Sequence, residues 1–294
     1  MPQSRKLQLP TGLAYHVLEW GDPEAEHTVL LLHGFLDHAW SWETVVDAGL
    51  GAGGFRLVAP DLRGHGDSDW VGAGGYYHFV DYLADVHELV TLIDGGAPKT
   101  LSIVGHSMGG SVAAYYAGAY PDRVHRLALL EGLGPPESPN FKDTMPERVN
   151  AWLAAWKSAR ERAPRSYASV EEAAQRLMAH DPLLGRPLAR RLAEQGTAPA
   201  LGGRLRFKHD PLHATPGPYG FSVDIAGSFW SRVKAPTLLV EGGESHLRLS
   251  AAEQARREAY LPVAKKITIA GAGHMMQRHQ PDALARELRA FLES

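Results

Sequence analysis

The chain has 294 residues, of which 44% are hydrophobic and 21% charged, so it can bury a full core and is not a disordered segment. A formal net charge of −3 gives no strong field for nucleic acid or an anionic membrane, and the absence of cysteine closes disulfide, thiolate-zinc and thiol-nucleophile chemistry. No apolar run reaches the roughly 20 residues of a membrane span, and Met1–Pro10 carries no apolar stretch of the signal-peptide kind, so a cytoplasmic location is expected.

Residues 5–9 and 13–20 read as two antiparallel strands of a hairpin, and 28–32 as a buried strand. Trp40–Val46 reads as a first helix and 55–59 as a strand ending at Pro60-Asp61. From Phe79 to Leu92 apolar residues fall at 79, 80, 83, 86, 89 and 90, with 93 just beyond, the period of an amphipathic helix. Thr100–Val104 is a strand, Gly110–Ala119 a helix, and 126–130 another strand. Strands alternating with helices predict a mostly parallel sheet covered on both faces. At Gly132 the alternation stops. A Pro-rich stretch to Pro139 leads into helices over 146–163, 169–180 and 184–195 with no strand between them, and Pro and Gly punctuate 196 to 220. Alternation resumes at Pro236. The expected organisation is an α/β core over 1–134 and 233–294 with a helical cap inserted at 135–232, a placement that lets the cap shape a substrate pocket.

Three strand ends carry chemistry. Thr100–Val104 runs into Gly105-His106-Ser107-Met108-Gly109, followed by a helix. This strand–turn–helix setting of Gly-x-Ser-x-Gly is that of a nucleophile elbow. The turn strains the serine backbone, and Gly105 and Gly109 remove Cβ atoms that would collide. Ser107 is therefore the candidate nucleophile, with the Met108 N–H aimed at whatever the hydroxyl attacks. The strand at 28–32 ends in His33-Gly34-Phe35, which places the Phe35 N–H as the second oxyanion donor. Near the C-terminus Ile267–Ala270 runs into a glycine turn from which His274 emerges as candidate base.

These pieces resemble the α/β-hydrolase superfamily. His33-Gly34-Phe35, Asp61–Ser68, Gly105–Gly110, Pro236–Val240 and Gly271–His274 match its motifs in its order, over nearly the whole chain. Within it, His33–His38, Leu130–Gly134 and the Pro-rich middle are similar to serine hydrolase-like proteins. The resemblance implies a catalytic triad of serine, acid and histidine, no cofactor, no metal, and a small-molecule substrate.

The resemblance also implies where the acid should be. The common pattern puts an aspartate three residues after the glycine that follows the strand at 236–240. Here that glycine is Gly242, and the third residue on is Ser245. Glu244 is one position short. The family's other location is the end of the preceding strand, which Glu131 occupies, directly after Leu127–Leu130. Glu131 is the expected acid and Glu244 the alternative. Ser107 in place of an aspartate argues against dehalogenase and the usual epoxide hydrolase chemistry.

The expected activity is a serine esterase, a carboxylesterase working through an acyl-enzyme. The same triad also serves C–C bond, lactone or amide hydrolysis and perhydrolysis. Outside enzymes the reading is a non-catalytic ligand-binding member of the fold, against which intact Ser107 and His274 argue. Gly49–Gly54 fits a dinucleotide pattern but precedes its strand, which makes it a turn. His209 and His213 flank Pro211 and lack a third ligand. His33, His65 and His106 are expected to bond backbone, and Asp61 and Arg63 to brace their loop.

Overall fold

Val29 and Leu31 lie in one hydrophobic cluster while Leu30 and Leu32 lie in another, so this strand is apolar on both faces. It belongs to a computed structural model that describes residues 1–95, 99–136, 145–162 and 164–294. The strands of its main sheet are β1 (Gln3–Gln8), β2 (Ala14–Trp20), β3 (His27–Leu32), β4 (Arg56–Pro60), β5 (Thr100–His106) and β6 (Arg126–Leu130), then β9 (Thr237–Gly242) and β10 (Val263–Ile269). Their spatial order is β1-β2-β4-β3-β5-β6-β9-β10. The pairs β1–β2 and β2–β4 are antiparallel and all others parallel. The expected hairpin and the mostly parallel sheet are both present.

Helices cover both faces. On one side α2 (Phe79–Asp94), α3 (Met108–Ala119) and α7 (Val223–Trp230) pack against Leu30, Ile103, Leu127 and Leu239. On the other, α1 (Glu43–Asp47) and α10 (Pro281–Glu293) pack against Val29, Val104, Ala128 and Leu238. The helix expected at Trp40–Val46 is a 3-10 turn at Ala39–Trp42 running into α1. Buried charge braces the loop after β4. Asp85 of α2 accepts from Tyr15 Oη at 2.5 Å, Arg63 Nε at 2.6 Å and Thr11 Oγ1 at 2.8 Å.

β6 pairs directly with β9, so the residues between them are an excursion from the sheet. It contains α4 (Met145–Glu161), α5 (Val170–His180), α6 (Arg186–Gly196) and a small antiparallel ribbon of β7 (Thr197–Pro199) and β8 (Leu205–Phe207). Ala163, the last residue of the first expected helix, and residues 137–144 of the expected cap lie outside the described residues. α5 and α6 share a separate core of Tyr167, Ala173, Ala174, Leu184, Ala189 and Leu192. On α4, Trp152 and Trp156 stack at 5.3 Å, and Trp152 meets Tyr76 edge-on at 5.2 Å. α7 falls inside the segment expected as cap yet packs on α3 in the main core. Gly118 permits this, since a Cβ there would strike the Phe229 carbonyl. α8 (Ala251–Glu258) carries the fully buried Arg257, which donates to the carbonyls of Leu133, Gly134 and Pro135 and pins the chain leaving β6. Among the described residues no helix is long and apolar enough to cross a membrane.

Candidate active site

The candidate residues gather at the carboxyl edge of the sheet, where parallel α/β folds bind ligands. Phe35 follows β3, Ser107 follows β5, Glu131 follows β6, Ser245 follows β9 and His274 follows β10. Ser107 has φ 52° and ψ −118°, a strained backbone for a side-chain-bearing residue. The glycines around it are steric necessities. A Cβ on Gly105 would lie 2.5 Å from the Gly109 carbonyl oxygen, and one on Gly109 would strike the carbonyls of Leu32 and His33. Helix α3 can therefore pack close to β3 and β5 only with glycine at these places.

Glu131 has φ 46°, and its carboxylate is held by three donors. The Gly242 N–H meets Oε1 at 2.9 Å, the Ser245 hydroxyl meets Oε2 at 2.8 Å, and His274 Nδ1 meets Oε2 at 2.6 Å. Burial pushes the Glu131 carboxyl up, but the hydrogen bonds from His274, Gly242 and Ser245 together outweigh it and hold it below its ordinary value. With Nδ1–H donating to the carboxylate, His274 Nε2 is left with a lone pair, the form a proton acceptor needs. Glu244 is exposed, and its backbone N–H donates to the Ala272 carbonyl. The structure brings Glu131, and not Glu244, to His274.

His106 links the elbow to the histidine loop. Its Nε2–H donates to the His274 carbonyl at 2.9 Å, and the two rings are 4.7 Å apart. Burial, reinforced by the proximity of His274, pushes the His106 imidazole down to about 3, so it stays neutral. Ser107 is half-buried, and its hydroxyl makes no hydrogen bond among the described residues, His274 included. In empty sites such contacts commonly close only when substrate binds. On the oxyanion side, the Phe35 N–H has no acceptor among the described residues. The Met108 N–H lies in the first turn of α3, where N–H groups lack intrahelical acceptors. Gly34 packs so tightly that a Cβ would lie 2.7 Å from His106 Nδ1 and 3.2 Å from Ser107 Cβ.

Other expected roles are visible in the contacts. His33 Nδ1–H donates to the Gly34 carbonyl and its Nε2 accepts from the Leu62 N–H; His65 does the same with the Arg63 carbonyl and the Leu36 N–H. Asp61 accepts from the N–H groups of Ala39 and Asp67 and from His16 Nδ1. His16, Asp61 and Asp67 bring potential metal-ligand atoms within 4.8 Å of one another. Their oxygens are already engaged, Asp67 by Lys208 at 2.6 Å. The His213 ring lies tilted against His65 at 4.1 Å and Tyr77 at 3.8 Å.

Sequence reasoning missed three groups. Ser245 read only as a lost acid, although a hydroxyl where a carboxylate is usual is itself a signal of a donor to a relocated acid. His279 and Asp181 gave no signal. His279 Nε2–H donates to Asp181 Oδ1 at 2.7 Å, and its Nδ1 accepts from the Gly273 N–H at 3.0 Å, next to His274. Asp181 belongs to the excursion and His279 to α9 (Met276–His279), so this pair ties the two together. Arg278 adds Asp37 at 2.6 Å. Burial alone would raise the Asp37 carboxyl, but the Arg278 guanidinium holds it well below the usual carboxylate range. Above these residues opens a cleft of about 1260 Å³ lined by Phe35, Leu36 and His274 from the core and by α4 and α5 residues from the excursion. Ser107 itself is not among the lining residues.

Residues 29–287 match the alpha/beta hydrolase family. A serine hydrolase-like protein of Danio rerio is 35% identical over 223 residues, which cover 75% of this chain and 66% of that protein, just under two thirds of its length. A 3-hydroxybutyrate-oligomer hydrolase of Cupriavidus necator is 29% identical over 255 residues, 82% of this chain and 80% of that one. Among solved structures, the thioesterase domain from the curacin biosynthetic pathway is similar with a TM-score of 0.83 at 26% identity, covering 99% of both chains.

Proposed function

The chain belongs to the alpha/beta hydrolase family, and on that premise we propose that it is a serine hydrolase that cleaves carboxylic esters of small molecules through an acyl-enzyme. The observation that carries this is the contact of His274 Nδ1 with Glu131 Oε2, on a histidine that shares the sheet edge with a strained Ser107. His274 Nε2 takes the Ser107 proton as the hydroxyl oxygen bonds to the ester carbonyl carbon. The imidazolium so formed is stabilised by Glu131 across the 2.6 Å contact. The N–H groups of Phe35 and Met108 hold the oxyanion, a contribution on the order of 10²–10³ in turnover per donor. The proton on Nε2 passes to the leaving alcohol as the tetrahedral intermediate collapses. Water, deprotonated by the same histidine, then attacks the acyl-enzyme and releases the acid. Only protein groups and water take part. The excursion, read as a cap, selects the substrate.

The names of the relatives, a serine hydrolase-like protein, an oligomer hydrolase and a thioesterase, support hydrolytic chemistry. The test is a panel of p-nitrophenyl esters of increasing chain length, run beside a fluorophosphonate probe on wild type and Ser107→Ala. The probe is expected to label the wild type alone, and turnover in the variant to fall by at least ~10³-fold. Equal labelling, or no ester turned over by the wild type, removes the reading.

A further inference from the structure

The cleft above His274 has an unbalanced wall. Four arginines line it: Arg162, Arg165, Arg176 and Arg278. Arg278 is neutralised by Asp37 at 2.6 Å, with Asp181 at 4.0 Å. The other three make no ion pair or hydrogen bond through their side chains among the described residues. They come from one stretch of the excursion. Arg162 directly follows α4 and Arg165 lies in the connection to α5, both exposed, and Arg176 lies on α5 and is half-buried. The carboxylates on the lining do not answer them. Asp37 and Asp181 are engaged by Arg278 and His279, which leaves only the exposed Glu244. A chain of net charge −3 thus concentrates uncompensated positive charge on the excursion side of the cleft that holds its candidate base.

Guanidinium groups with no counter-ion repel one another, and their planar forks match the oxygens of carboxylates and phosphates. In a concave site the field of such a wall is focused on whatever enters. The lining also carries apolar surface from Leu177, Leu183, Phe207 and Met275. We propose that the substrates are esters bearing an anionic oxygen group, a carboxylate or a phosphate, at the end remote from the scissile bond, and that Arg162, Arg165 and Arg176 bind that group. The proposal rests on the ester-hydrolase reading above and assigns the substrate class of the same site.

The experiment compares kcat/KM for p-nitrophenyl esters of one chain length ending in a carboxylate, a phosphate, a methyl ester or a trimethylammonium group. Wild type is expected to prefer an anionic ester over the neutral one by about 10- to 100-fold, the scale of charge-assisted hydrogen bonds, and to disfavour the cation. The two anionic arms identify which oxygen group the wall takes. The preference should shrink as ionic strength rises from about 0.01 M to about 1 M, which shortens the screening length from about 30 Å to about 3 Å. Arg176→Gln, and Arg162→Gln with Arg165→Gln, should bring the anionic-to-neutral ratio toward one, through KM more than kcat. Arg176→Lys should restore part of it. Equal turnover of neutral and anionic esters by wild type, or a ratio untouched by the variants, overturns the proposal and leaves the ester-hydrolase reading intact. If wild type turns over no ester, that reading fails instead, and the arginine wall is tested by calorimetric titration with adipate and with inorganic phosphate. Binding lost in the triple glutamine variant supports the wall, and absence of binding to wild type removes it.

Discussion

Ser245 donates its hydroxyl hydrogen to Glu131 Oε2, the same oxygen that meets His274 Nδ1, across 114 residues of sequence. The position after β9 where this family usually carries an acid is thus occupied by a group that holds the candidate acid Glu131 in place.

That relationship gives a graded set of outcomes. Glu131→Gln should remain folded and lose up to ~10⁴-fold in kcat, because an amide neither stabilises the imidazolium nor fixes its tautomer. Ser245→Ala removes one of three donors to the carboxylate and should cost about tenfold, the scale of one hydrogen bond to a charge. Glu244→Gln should retain most activity. Steady-state kinetics on purified variants checks the order, and a crippled Glu244→Gln beside an active Glu131→Gln would reverse the assignment.

Gly34→Ala tests how tightly the turn proposed to hold the oxyanion is seated. Its Cβ would sit 2.7 Å from His106 Nδ1 and 3.2 Å from Ser107 Cβ. Overpacking of this kind costs roughly 1–3 kcal/mol of stability. The turn must shift to make room, and the Phe35 N–H moves with it. Turnover should therefore fall by about 10²-fold or more, beyond what urea unfolding shows. A variant that loses stability while keeping kcat would separate the turn from catalysis.

Stability should fall as the medium becomes mildly acidic. Burial pushes the rings of His38 and His65 down, His106 and His213 to about 3, and His209 to about 4. Folded values below the unfolded value of ~6.5 mean that the unfolded chain binds more protons below that pH. The contribution is complete above about pH 6.5 and is lost progressively as pH drops toward the folded values. Each such ring can contribute a slope of up to about 1.4 kcal/mol per pH unit. Urea midpoints at about pH 7, 6 and 5 would measure it, and a flat series would mean that the rings protonate in place.

Asp85→Ala should be the most destabilising of these changes. It removes the buried acceptor shared by Tyr15, Arg63 and Thr11 and leaves the Arg63 charge with only the half-buried Asp81 at 3.0 Å. Breaking a buried ion pair from one side costs about 3–5 kcal/mol. Denaturant unfolding reads this directly, and a loss below about 1 kcal/mol would show that water reaches Arg63.

The local parts of this protein were legible in its sequence because local physics makes them. The two-faced apolar strands, the glycine-flanked Ser107 and the turn before His274 are each set by neighbours within a few residues. Glu131 was singled out through the resemblance, which names the end of that strand as a second place for the acid, and the structure puts its carboxylate against His274. What depended on distant pairing was not. That β6 lies beside β9, and so brings Gly242 and Ser245 to Glu131, is a fact of sheet order. The Asp181–His279 contact joins segments 98 residues apart with no motif at either end. α7 was hidden for a similar reason, since its place on α3 depends on the missing side chain of Gly118.

The side-by-side placement of β6 and β9 has a consequence for engineering and for descent. Phe35, Ser107, Met108 and Glu131 all precede the excursion, and only His274 follows it. Strand pairing brings the first four to one edge of the sheet, while Gly242 and Ser245, which follow the excursion, hold the Glu131 carboxylate. Loops between adjacent strands lengthen at small entropic cost, so a long segment between β6 and β9 leaves the pairing of the two strands intact. In a chain cut within that segment, candidate nucleophile and candidate base fall on different fragments; on the proposed reading each fragment is silent alone, and regained turnover reports their reunion.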